Sequence, residues 1–232
     1  MSELFRLRGV SKRWPDGHIA LADISFALAP GTLTALIGPS GAGKTTVLRL
    51  AAGLETPDAG EISNPFGQVG MVFQEPSLWP HLTLVENVSL PLRLTLGVAN
   101  AVAARRAADV LTSWGLAHRL DAYPAELSGG EQQRGALARA CVLEPKVLCL
   151  DEVASALDPE AAAAILQSII QMKKEDSLML LATHQLGFVV ESADQVVFMD
   201  GGHVIEIGDA QSLLQAPRHD RVKRFLAAAR LS

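Results

Sequence analysis

The sequence predicts an α/β fold in which a mostly parallel sheet carries an N-terminal antiparallel β subdomain and an inserted α-helical subdomain. Short, fully apolar strand patterns alternate with helical patterns, which is typical of a parallel sheet covered on both faces. Two alternating patterns near the N-terminus indicate half-buried strands instead. A strand-poor stretch over residues 75–131 interrupts the alternation, and we interpret it as a helical lobe inserted into the core.

The first two strands are predicted over residues 3–10 and 19–28, with the turn signal Pro15-Asp16-Gly17 between them. Phe5 and Leu7 alternate with arginines, which indicates a half-buried strand and argues against a signal peptide. These strands form the predicted β subdomain.

The core elements are predicted where short apolar runs alternate with helical patterns. Strands are expected over residues 33–37, 69–73, 147–150 and 178–182. Helices are expected over residues 46–52 and 159–172, and Gly53 closes the first of them. Strands over 196–199 and 204–207 flank Asp200-Gly201-Gly202, which predicts a hairpin.

The inserted lobe contains an amphipathic helix that Asn100 is expected to cap. Its predicted apolar face consists of Val102, Ala103, Ala107, Val110, Leu111 and Trp114. We therefore expect one domain over residues 1–232. Its predicted lobes are an α/β core with the β subdomain (1–74 and 140–215), a helical subdomain (75–139) and a C-terminal helix (216–232).

Composition narrows the class of protein. The chain has 232 residues, of which 49% are hydrophobic, and this fits one folded unit with a sizeable core. Its net charge of −5 argues against a dedicated nucleic-acid-binding protein, and no apolar run approaches the ~20 residues that span a bilayer. Cys141 and Cys149 lie in apolar patterns, so we expect buried thiols in a reducing compartment; a disulfide or a metal pair is the alternative.

A glycine-rich loop follows the predicted strand 33–37 and opens the next helix, with the sequence Gly38-Pro39-Ser40-Gly41-Ala42-Gly43-Lys44-Thr45-Thr46. In this context backbone N–H groups close around phosphate oxygens, Lys44 reaches the β- and γ-phosphates, and the Thr45 hydroxyl coordinates Mg²⁺. The alternative is a glycine-rich turn with an exposed lysine. We call residues 38–46 the phosphate loop and predict a nucleoside triphosphate site there.

Two acidic residues, Asp151 and Glu152, stand at the C-terminal end of the predicted strand 147–150. Ligands of open α/β sheets bind at this end of the strands. Asp151 is expected to hold Mg²⁺ through water, and Glu152 to orient or polarise an attacking water. Helix-capping carboxylates are the alternative, because acids favour helix N-termini.

A second loop also has the composition of a phosphate cradle. Ser128, Gly129 and Gly130 offer a hydroxyl and backbone N–H groups at the start of a predicted helix, in the sequence Leu127-Ser-Gly-Gly-Glu-Gln-Gln-Arg134. We call Ser128-Gly129-Gly130 the signature loop. Since the phosphate loop already has a complete set of partners, the signature loop makes sense as a half-site that closes over the γ-phosphate held by a second copy of the chain.

The motifs GPSGAGKTT, LSGGEQQR, LCLDE, SALD and ATHQ occur in an order that resembles the ATP-binding subunit of ABC transporters. The resemblance extends from about residue 3 to about residue 228, and it implies a P-loop NTPase (RecA-like) core. LSGGEQQR is specific to ABC ATPases. The resemblance is greatest to the polar amino acid importer branch, and the short segment over residues 61–68 is also similar to the sulfonate and nitrate branch.

The resemblance implies further roles for single residues. Trp14 lies where the family places an aromatic ring that stacks on adenine, with plain packing as the alternative. Gln74 matches a glutamine that reaches Mg²⁺ and the attacking water, although a polar strand-end residue would look the same. His184 resembles a histidine that contacts the γ-phosphate, with a structural histidine as the alternative. Asp158 lies in a loop that crosses between paired subunits and contributes to the nucleotide site.

The chain departs from the family pattern at three places. Val153-Ala154 replaces the usual Pro followed by Thr or Ser, so the local turn geometry is expected to differ from that of other members. The segment over residues 61–68 is shorter than usual. Gly135 lies inside the predicted helix after the signature loop, where glycine is expected to cost up to ~1 kcal/mol.

Three uses of ATP are open at this stage: the ATPase subunit of an importer, an ABC ATPase without transport, and another P-loop NTPase or small-molecule kinase. LSGGEQQR argues against the third. The second predicts a long coiled coil or tandem cassettes, and the chain has neither. We expect an ATP- and Mg²⁺-dependent ATPase that pairs with a second copy, with polar amino acids as the expected solute.

The expected surroundings also follow from the resemblance. The ATPase would lie at the cytoplasmic face of the inner membrane as a peripheral subunit, with integral membrane permease subunits as direct partners. An extracytoplasmic solute-binding protein would be an indirect partner, and no nucleic acid is expected. The apolar segment after Gln74, with Trp79 and Leu82, is the predicted docking surface for the permease; internal packing of the lobe is the alternative.

Overall fold

A computed structural model describes residues 4–229 of the chain. The chain divides into two compact units. The first contains residues 1–69, 146–152 and 173–232, and the second contains residues 70–145 and 153–172. The predicted lobe boundaries stay a prediction; this division assigns residues 70–74, 140–145 and 153–172 to the second, helical unit.

The first unit contains the predicted β subdomain as a three-stranded antiparallel sheet. Its strands are β1 (Phe5–Arg13), β2 (Ile19–Leu28) and β4 (Ala59–Ser63), in the order β2-β1-β4. The alternation seen in the sequence sets the register, with Phe5 opposite Leu28 and both side chains buried. The start of the first predicted strand, Glu3, lies outside the described residues.

The first unit also contains the predicted parallel sheet. Its order is β6-β7-β3-β8-β9, where β3 is Leu33–Ile37, β6 is Val147–Asp151, β7 is Leu178–Ala182, β8 is Gln195–Asp200 and β9 is His203–Asp209. All neighbouring pairs are parallel except β8 and β9, which form the predicted hairpin. Every residue of β3, β6 and β7 is buried, as the apolar runs predicted. The α/β fold class is confirmed.

Helices of the first unit cover this sheet. They are α1 (Lys44–Ala51), α6 (Leu186–Ser192), α7 (Ala210–Gln215) and α8 (Asp220–Ala229). Val189, Leu213 and Leu226 of the last three helices pack with Phe198 in one core cluster. The C-terminal helix expected over 216–232 is α8, which begins at Asp220; its predicted last residues, 230–232, lie outside the described residues.

The second unit is helical. It contains α2 (Leu84–Leu96), α3 (Asn100–Ser113), α4 (Gly129–Cys141) and α5 (Pro159–Gln171), and the strand β5 (Val69–Val72) begins at its boundary. Gly135 is buried in α4, and a Cβ there would lie 2.6 Å from the Leu84 Cδ1 atom. The glycine therefore permits the close approach of α2 and α4, which the sequence did not indicate.

Two details of α3 were predicted wrongly. Asn100 is the first residue of the helix and not its cap, because the N-cap is Ala99, which makes no side-chain cap bond. Val102 is 48% exposed, whereas Ala103, Ala107 and Leu111 are buried. Successive helical residues differ by about 100° in direction, so Val102 and Ala103 cannot both face the core squarely.

Among residues 4–229, no helix has the length and apolar character needed to cross a bilayer. Cys149 is buried in β6, as predicted, and Cys141 is half-buried near the end of α4. Burial raises the pKa of the Cys149 thiol to about 12, so this thiol is not a nucleophile at neutral pH.

Candidate nucleotide site

The predicted site residues fall in two sets, one in each unit. Trp14, the phosphate loop, Asp151, Glu152 and His184 belong to the first unit. Gln74, the signature loop and Asp158 belong to the second.

The phosphate loop connects β3 to α1 and depends on close backbone approach. Gly38 follows the last residue of β3 and has φ 144°, a conformation that side-chain-bearing residues rarely adopt. A Cβ at Gly38 would lie 2.0 Å from the carbonyl oxygen of Met199 on β8, so any side chain there would displace backbone. The close packing of the loop against the sheet therefore requires glycine at this position.

Lys44 is buried at the start of α1, with its ammonium inside the curve of the phosphate loop. Its Nζ donates to the carbonyl oxygens of Gly38 at 2.9 Å and Pro39 at 3.1 Å. Burial lowers the pKa of Lys44, and the carboxylates of Glu152 and Asp151 oppose that shift by favouring the charged form. A cation placed inside a ring of backbone groups is suited to bind phosphate oxygens.

Asp151, at the end of β6, and Thr45, in the first turn of α1, bring two side-chain oxygen atoms together. The Thr45 hydroxyl donates to the Asp151 Oδ1 atom at 3.1 Å. Burial raises the pKa of Asp151, and the hydrogen bond from Thr45 partly opposes this. No group of three or more His, Cys, Asp or Glu side chains within residues 4–229 is arranged to hold a metal. A hydroxyl and one carboxylate nevertheless fit Mg²⁺, because Mg²⁺ is commonly bound by one or two carboxylates, water and substrate phosphates.

Glu152 and His184 are in direct contact. The His184 Nε2 atom lies 2.8 Å from the Glu152 Oε1 atom, and the imidazole is the more exposed partner. The Glu152 backbone N–H donates to the Ala182 carbonyl on β7, and Glu152 has φ 47°. A left-handed backbone at a residue other than glycine costs about 1–3 kcal/mol and is often found at functional sites. Two side chains that the sequence suggested separately therefore form one polar pair.

Trp14 lies at the turn between β1 and β2 and is half-buried. Its N–H donates to the His18 carbonyl, and its own carbonyl accepts from the Gly17 N–H, both at 2.9 Å. The residue pair on either side of this turn, Arg13 opposite Ile19, closes the hairpin. The turn predicted at Pro15-Asp16-Gly17 is therefore present, and it fixes the backbone of the tryptophan.

In the second unit, Ser128 is the N-cap of α4 and takes part in a capping box. The Glu131 N–H donates to the Ser128 hydroxyl oxygen at 3.3 Å, and the Ser128 N–H donates to the Glu131 carboxylate at 2.8 Å. The hydroxyl accepts one bond here and keeps its own O–H as a donor. The N–H groups of Gly129 and Gly130, in the first turn, have no acceptor within the helix. The signature loop is therefore a fixed set of donors at the positive end of a helix.

Glu131 places a carboxylate close to these donors, and Arg119 neutralises it. The Arg119 Nε atom lies 2.9 Å from the Glu131 Oε1 atom, and the glutamate side chain is 11% exposed. The pKa of Glu131 is lowered to about 2, first by the Ser128 N–H and then by Arg119. Without a cation beside it, this carboxylate would repel an approaching phosphate.

The remaining predicted residues of the second unit lie in two short segments. The Gln74 Nε2 atom donates to the Ser155 hydroxyl at 3.2 Å. Asp158 caps α5, because its carboxylate accepts the Ala161 N–H at 2.9 Å. Val153 and Ala154, where the chain departs from the family pattern, are buried. The roles expected for Gln74 and Asp158 at the nucleotide stay predictions.

The segment after Gln74 is held by the helix that follows the signature loop. Arg139 of α4 donates to the carbonyl oxygens of Ser77 at 2.8 Å and Pro76 at 3.1 Å, and its guanidinium lies 4.7 Å from the centre of the Trp79 ring. Burial lowers the pKa of Arg139. Trp79 is still 37% exposed, so it combines internal packing with a surface face.

The sequence interpretation missed several of these residues. Glu131 was not among the predicted site residues, although its spacing from Ser128 is that of a capping box and was visible in the sequence. Arg119 and Arg139 gave no comparable signal, because their partners lie 12 and about 60 residues away along the chain.

Comparisons with known proteins agree with this geometry. The family described as ABC transporter matches residues 21–155. The arginine transport ATP-binding protein ArgV of Corynebacterium glutamicum is 40% identical, over 90% of this chain and 91% of its own. The glutamine transport ATP-binding protein GlnQ of Geobacillus stearothermophilus is 37% identical, over 94% of this chain and 96% of its own.

Solved structures resemble the chain as well. A dimeric post-hydrolysis state of the ATP-binding cassette MJ0796, bound to ADP and Pi, has a TM-score of 0.82 at 27% identity. The match covers 89% of this chain and 98% of that cassette. CbiO1 from Clostridium perfringens, part of the ABC transporter complex cbiONQ, has a TM-score of 0.81 at 26% identity and covers 100% of this chain and 99% of its own.

Proposed function

The chain belongs to the ABC transporter family as an ATP-hydrolysing subunit, and from this premise we propose that two copies bind two ATP–Mg²⁺ between them and drive amino acid uptake. The observation that carries the pairing is the division of donors between two loops. The phosphate loop has the cation and the oxygen ligands for one nucleotide. The signature loop offers a helix N-terminus and a hydroxyl, which make only part of a phosphate site.

The two loops complement one another chemically. A triphosphate held by Lys44 and the backbone of the phosphate loop still presents γ-phosphate oxygens outward. Gly129 and Gly130 offer N–H groups with no helical acceptor, and Ser128 offers an O–H. Arg119 removes the repulsion that Glu131 would otherwise exert. The signature loop of one copy therefore covers the γ-phosphate bound by the other copy.

Thr45 and Asp151 are the residues that would hold Mg²⁺. When bound, the ion would neutralise charge on the β- and γ-phosphates. Gln74 is proposed as a further contact to Mg²⁺ and the attacking water on the basis of the family resemblance. In the structure its side chain donates to the Ser155 hydroxyl.

Glu152 is proposed to accept a proton from the attacking water. Its carboxylate lies at the end of β6, one residue after Asp151, and the contact with His184 fixes its direction. A general base must lie within hydrogen-bond reach of the proton that it removes. His184 is proposed to orient Glu152 and to contact the γ-phosphate.

The solute class is proposed from the relatives and not from the site, because the site residues are proposed to bind a nucleotide while separate permease subunits carry the solute. The relatives include proteins named for arginine, glutamine, glutamate and L-cystine transport. Their solutes differ in charge and size, so they support amino acids as a class and not one member. The proposed location is the cytoplasmic face of the membrane, as a peripheral subunit.

Permease subunits are the proposed direct partners, with residues 75–82 as the docking segment. Trp79 offers an exposed face there, and Arg139 fixes the backbone that carries it. Purification of the tagged chain from membranes, followed by mass spectrometry, would identify these subunits and any associated solute-binding protein. Recovery of the chain without any membrane protein would contradict this part of the proposal.

Glu152→Gln tests the proposed reaction. The variant keeps every phosphate ligand and loses the proton acceptor, so hydrolysis should fall by at least about 100-fold while ATP binding persists. The trapped nucleotide should hold two copies together, and light scattering after size-exclusion chromatography would show an ATP-dependent dimer. Glu191→Gln, at an exposed position of α6, is the matched control. Hydrolysis at the wild-type rate in Glu152→Gln would reject Glu152 as the base.

A further inference from the structure

We propose that Lys12 is a positioning residue for the nucleotide base: its ammonium holds the Trp14 ring in place for the adenine to stack on the ring's opposite face. This inference rests on the proposed nucleotide site and names a residue that the sequence interpretation did not include. It is carried by the contacts of Lys12 itself.

Lys12 is an unusual lysine because it is only 9% exposed. Lysines are almost never this buried unless they are paired. Its Nζ donates to the Thr56 carbonyl at 2.8 Å and lies 3.4 Å from the Glu55 carboxylate. The same atom lies over the Trp14 ring, 5.2 Å from its centre. One ammonium therefore links the residues after α1 to the ring at the β1–β2 turn.

The turn that carries Trp14 lies beside the phosphate loop. Arg13 pairs with Ile19 across the hairpin, so Trp14 stands next to the start of β2. The next residue of β2, Ala20, has its carbonyl oxygen 2.7 Å from the position that a Gly43 Cβ would occupy. A short path therefore connects Trp14 to the phosphate loop. It crosses from β1 to β2 and reaches Gly43 through Ala20.

The ammonium fixes the ring in two ways. A cation over an aromatic ring is attracted to the negative face of the ring's quadrupole, and this attraction is largest where water is excluded. The bonds to Thr56 and Glu55 keep Nζ itself in place, so the ring is held against a fixed point. With one face covered by the cation, a planar base has the other face on which to stack.

Lys12 is not itself a phosphate ligand in this arrangement. Its ammonium is directed at a backbone carbonyl and a carboxylate, and Glu55 balances its charge. Its contribution should therefore appear only for ligands that carry a base. Holding the ring before binding removes the cost of immobilising a side chain, which is worth about two- to tenfold in affinity.

The experiment compares ATP with inorganic tripolyphosphate, which lacks the base, by calorimetric titration of the full chain with Mg²⁺. Lys12→Met keeps the length of the side chain and removes the charge, Lys12→Arg keeps a cation, and Trp14→Ala removes the ring. Lys146→Met, at an exposed lysine of the same unit, is the control. We expect Lys12→Met to weaken ATP binding by about three- to tenfold, Lys12→Arg to restore most of it, and tripolyphosphate binding to be unchanged throughout.

The outcomes separate this inference from the proposed function. Equal losses for ATP and tripolyphosphate in Lys12→Met would mean that the lysine acts through the phosphate loop or the fold, and would overturn the inference. Weaker ATP binding in Trp14→Ala with no change in Lys12→Met would overturn it while the base site on Trp14 stands. Unchanged ATP binding in Trp14→Ala would reject the base site and the inference together, while Glu152 and the phosphate loop would still be tested by hydrolysis.

Discussion

The phosphate loop and the signature loop both direct backbone N–H groups from the start of a helix, but they are built differently. The phosphate loop is held by buried contacts, with Gly38 pressed against β8 and Lys44 bonded to loop carbonyls. The signature loop is exposed at Ser128 and Gly129, and a capping box fixes it. We therefore expect the first loop to need its residues for folding and for binding, and the second to need them chiefly for the proposed ligand of a second copy.

This difference explains why glycine serves two purposes in one chain. At Gly38 a side chain has no room because backbone occupies the space. At Gly129 a Cβ would lie 3.6 Å from the Leu157 Cδ2 atom, which is ordinary contact. The space around Gly129 does not require glycine, and its small size fits the proposed close approach of a phosphate.

The largest expected effect is the difference between the variants Gly38→Ala and Gly129→Ala. Gly38→Ala should lower the free energy of unfolding by about 4 kcal/mol or more, because backbone must move. Gly129→Ala should change it by less than about 1 kcal/mol, since alanine favours a helix. Hydrolysis by Gly129→Ala should nevertheless fall by about 100-fold, because the methyl group separates the donors from the phosphate. Urea unfolding measures the free energies, and a phosphate-release assay measures hydrolysis. A wild-type hydrolysis rate for Gly129→Ala would contradict the proposed difference between the two glycines.

A smaller contrast concerns two capping boxes of the second unit. Thr83 with Glu86 caps α2 in the same way that Ser128 with Glu131 caps α4. Thr83→Ala and Ser128→Ala should each cost about 1 kcal/mol of unfolding free energy. Only Ser128→Ala should slow hydrolysis, by about tenfold or more, because it also removes the O–H that is proposed to donate to the phosphate. Equal hydrolysis rates in the two variants would mean that Ser128 acts only as a helix cap.

The smallest effect concerns acid stability near the signature loop. The pKa of Glu131 is lowered from its ordinary value of 4.5 to about 2. Its contribution, on the order of 2 kcal/mol, is therefore complete above pH 4.5 and is lost as the pH falls from 4.5 towards 2. Arg119→Met should raise the pKa of Glu131 and move this loss to higher pH. Circular dichroism during acid titration measures the shift, and identical curves for the variant and the wild type would exclude the ion pair as its cause.

Much of this architecture could be predicted from the sequence because it depends on local pattern. The strands at Leu33–Ile37 and Leu178–Ala182 are unbroken apolar runs, and the structure has them with the same bounds. The phosphate loop and Asp151 follow from spacing after such strands, and the structure brings Thr45 to Asp151.

The remaining features depend on which distant residues meet. The pairing of Arg119 with Glu131 requires the short 3₁₀ turn over Ala117–Arg119, and the burial of Lys12 requires the residues after α1 to return to β1. Asn100 was expected to cap α3 because asparagine is a common cap, but the chain enters that helix one residue earlier, at Ala99. Val102 was assigned to the apolar face of α3 because it is hydrophobic, but the smaller Ala103 takes the buried position beside it.

Mixing two inactive variants tests whether the phosphate loop and the signature loop act on one nucleotide only across two copies. Lys44→Ala lacks the phosphate-binding cation, and Gly129→Asp carries a negative charge in the signature loop; each should be inactive alone. A one-to-one mixture contains heterodimers in which one site has an intact phosphate loop and an intact signature loop. Steady-state hydrolysis should then recover to about a quarter of the wild-type rate, as random pairing of a symmetric dimer predicts. No recovery of hydrolysis at any ratio, or full hydrolysis by a strictly monomeric wild-type chain, would contradict the pairing of the two loops across two copies.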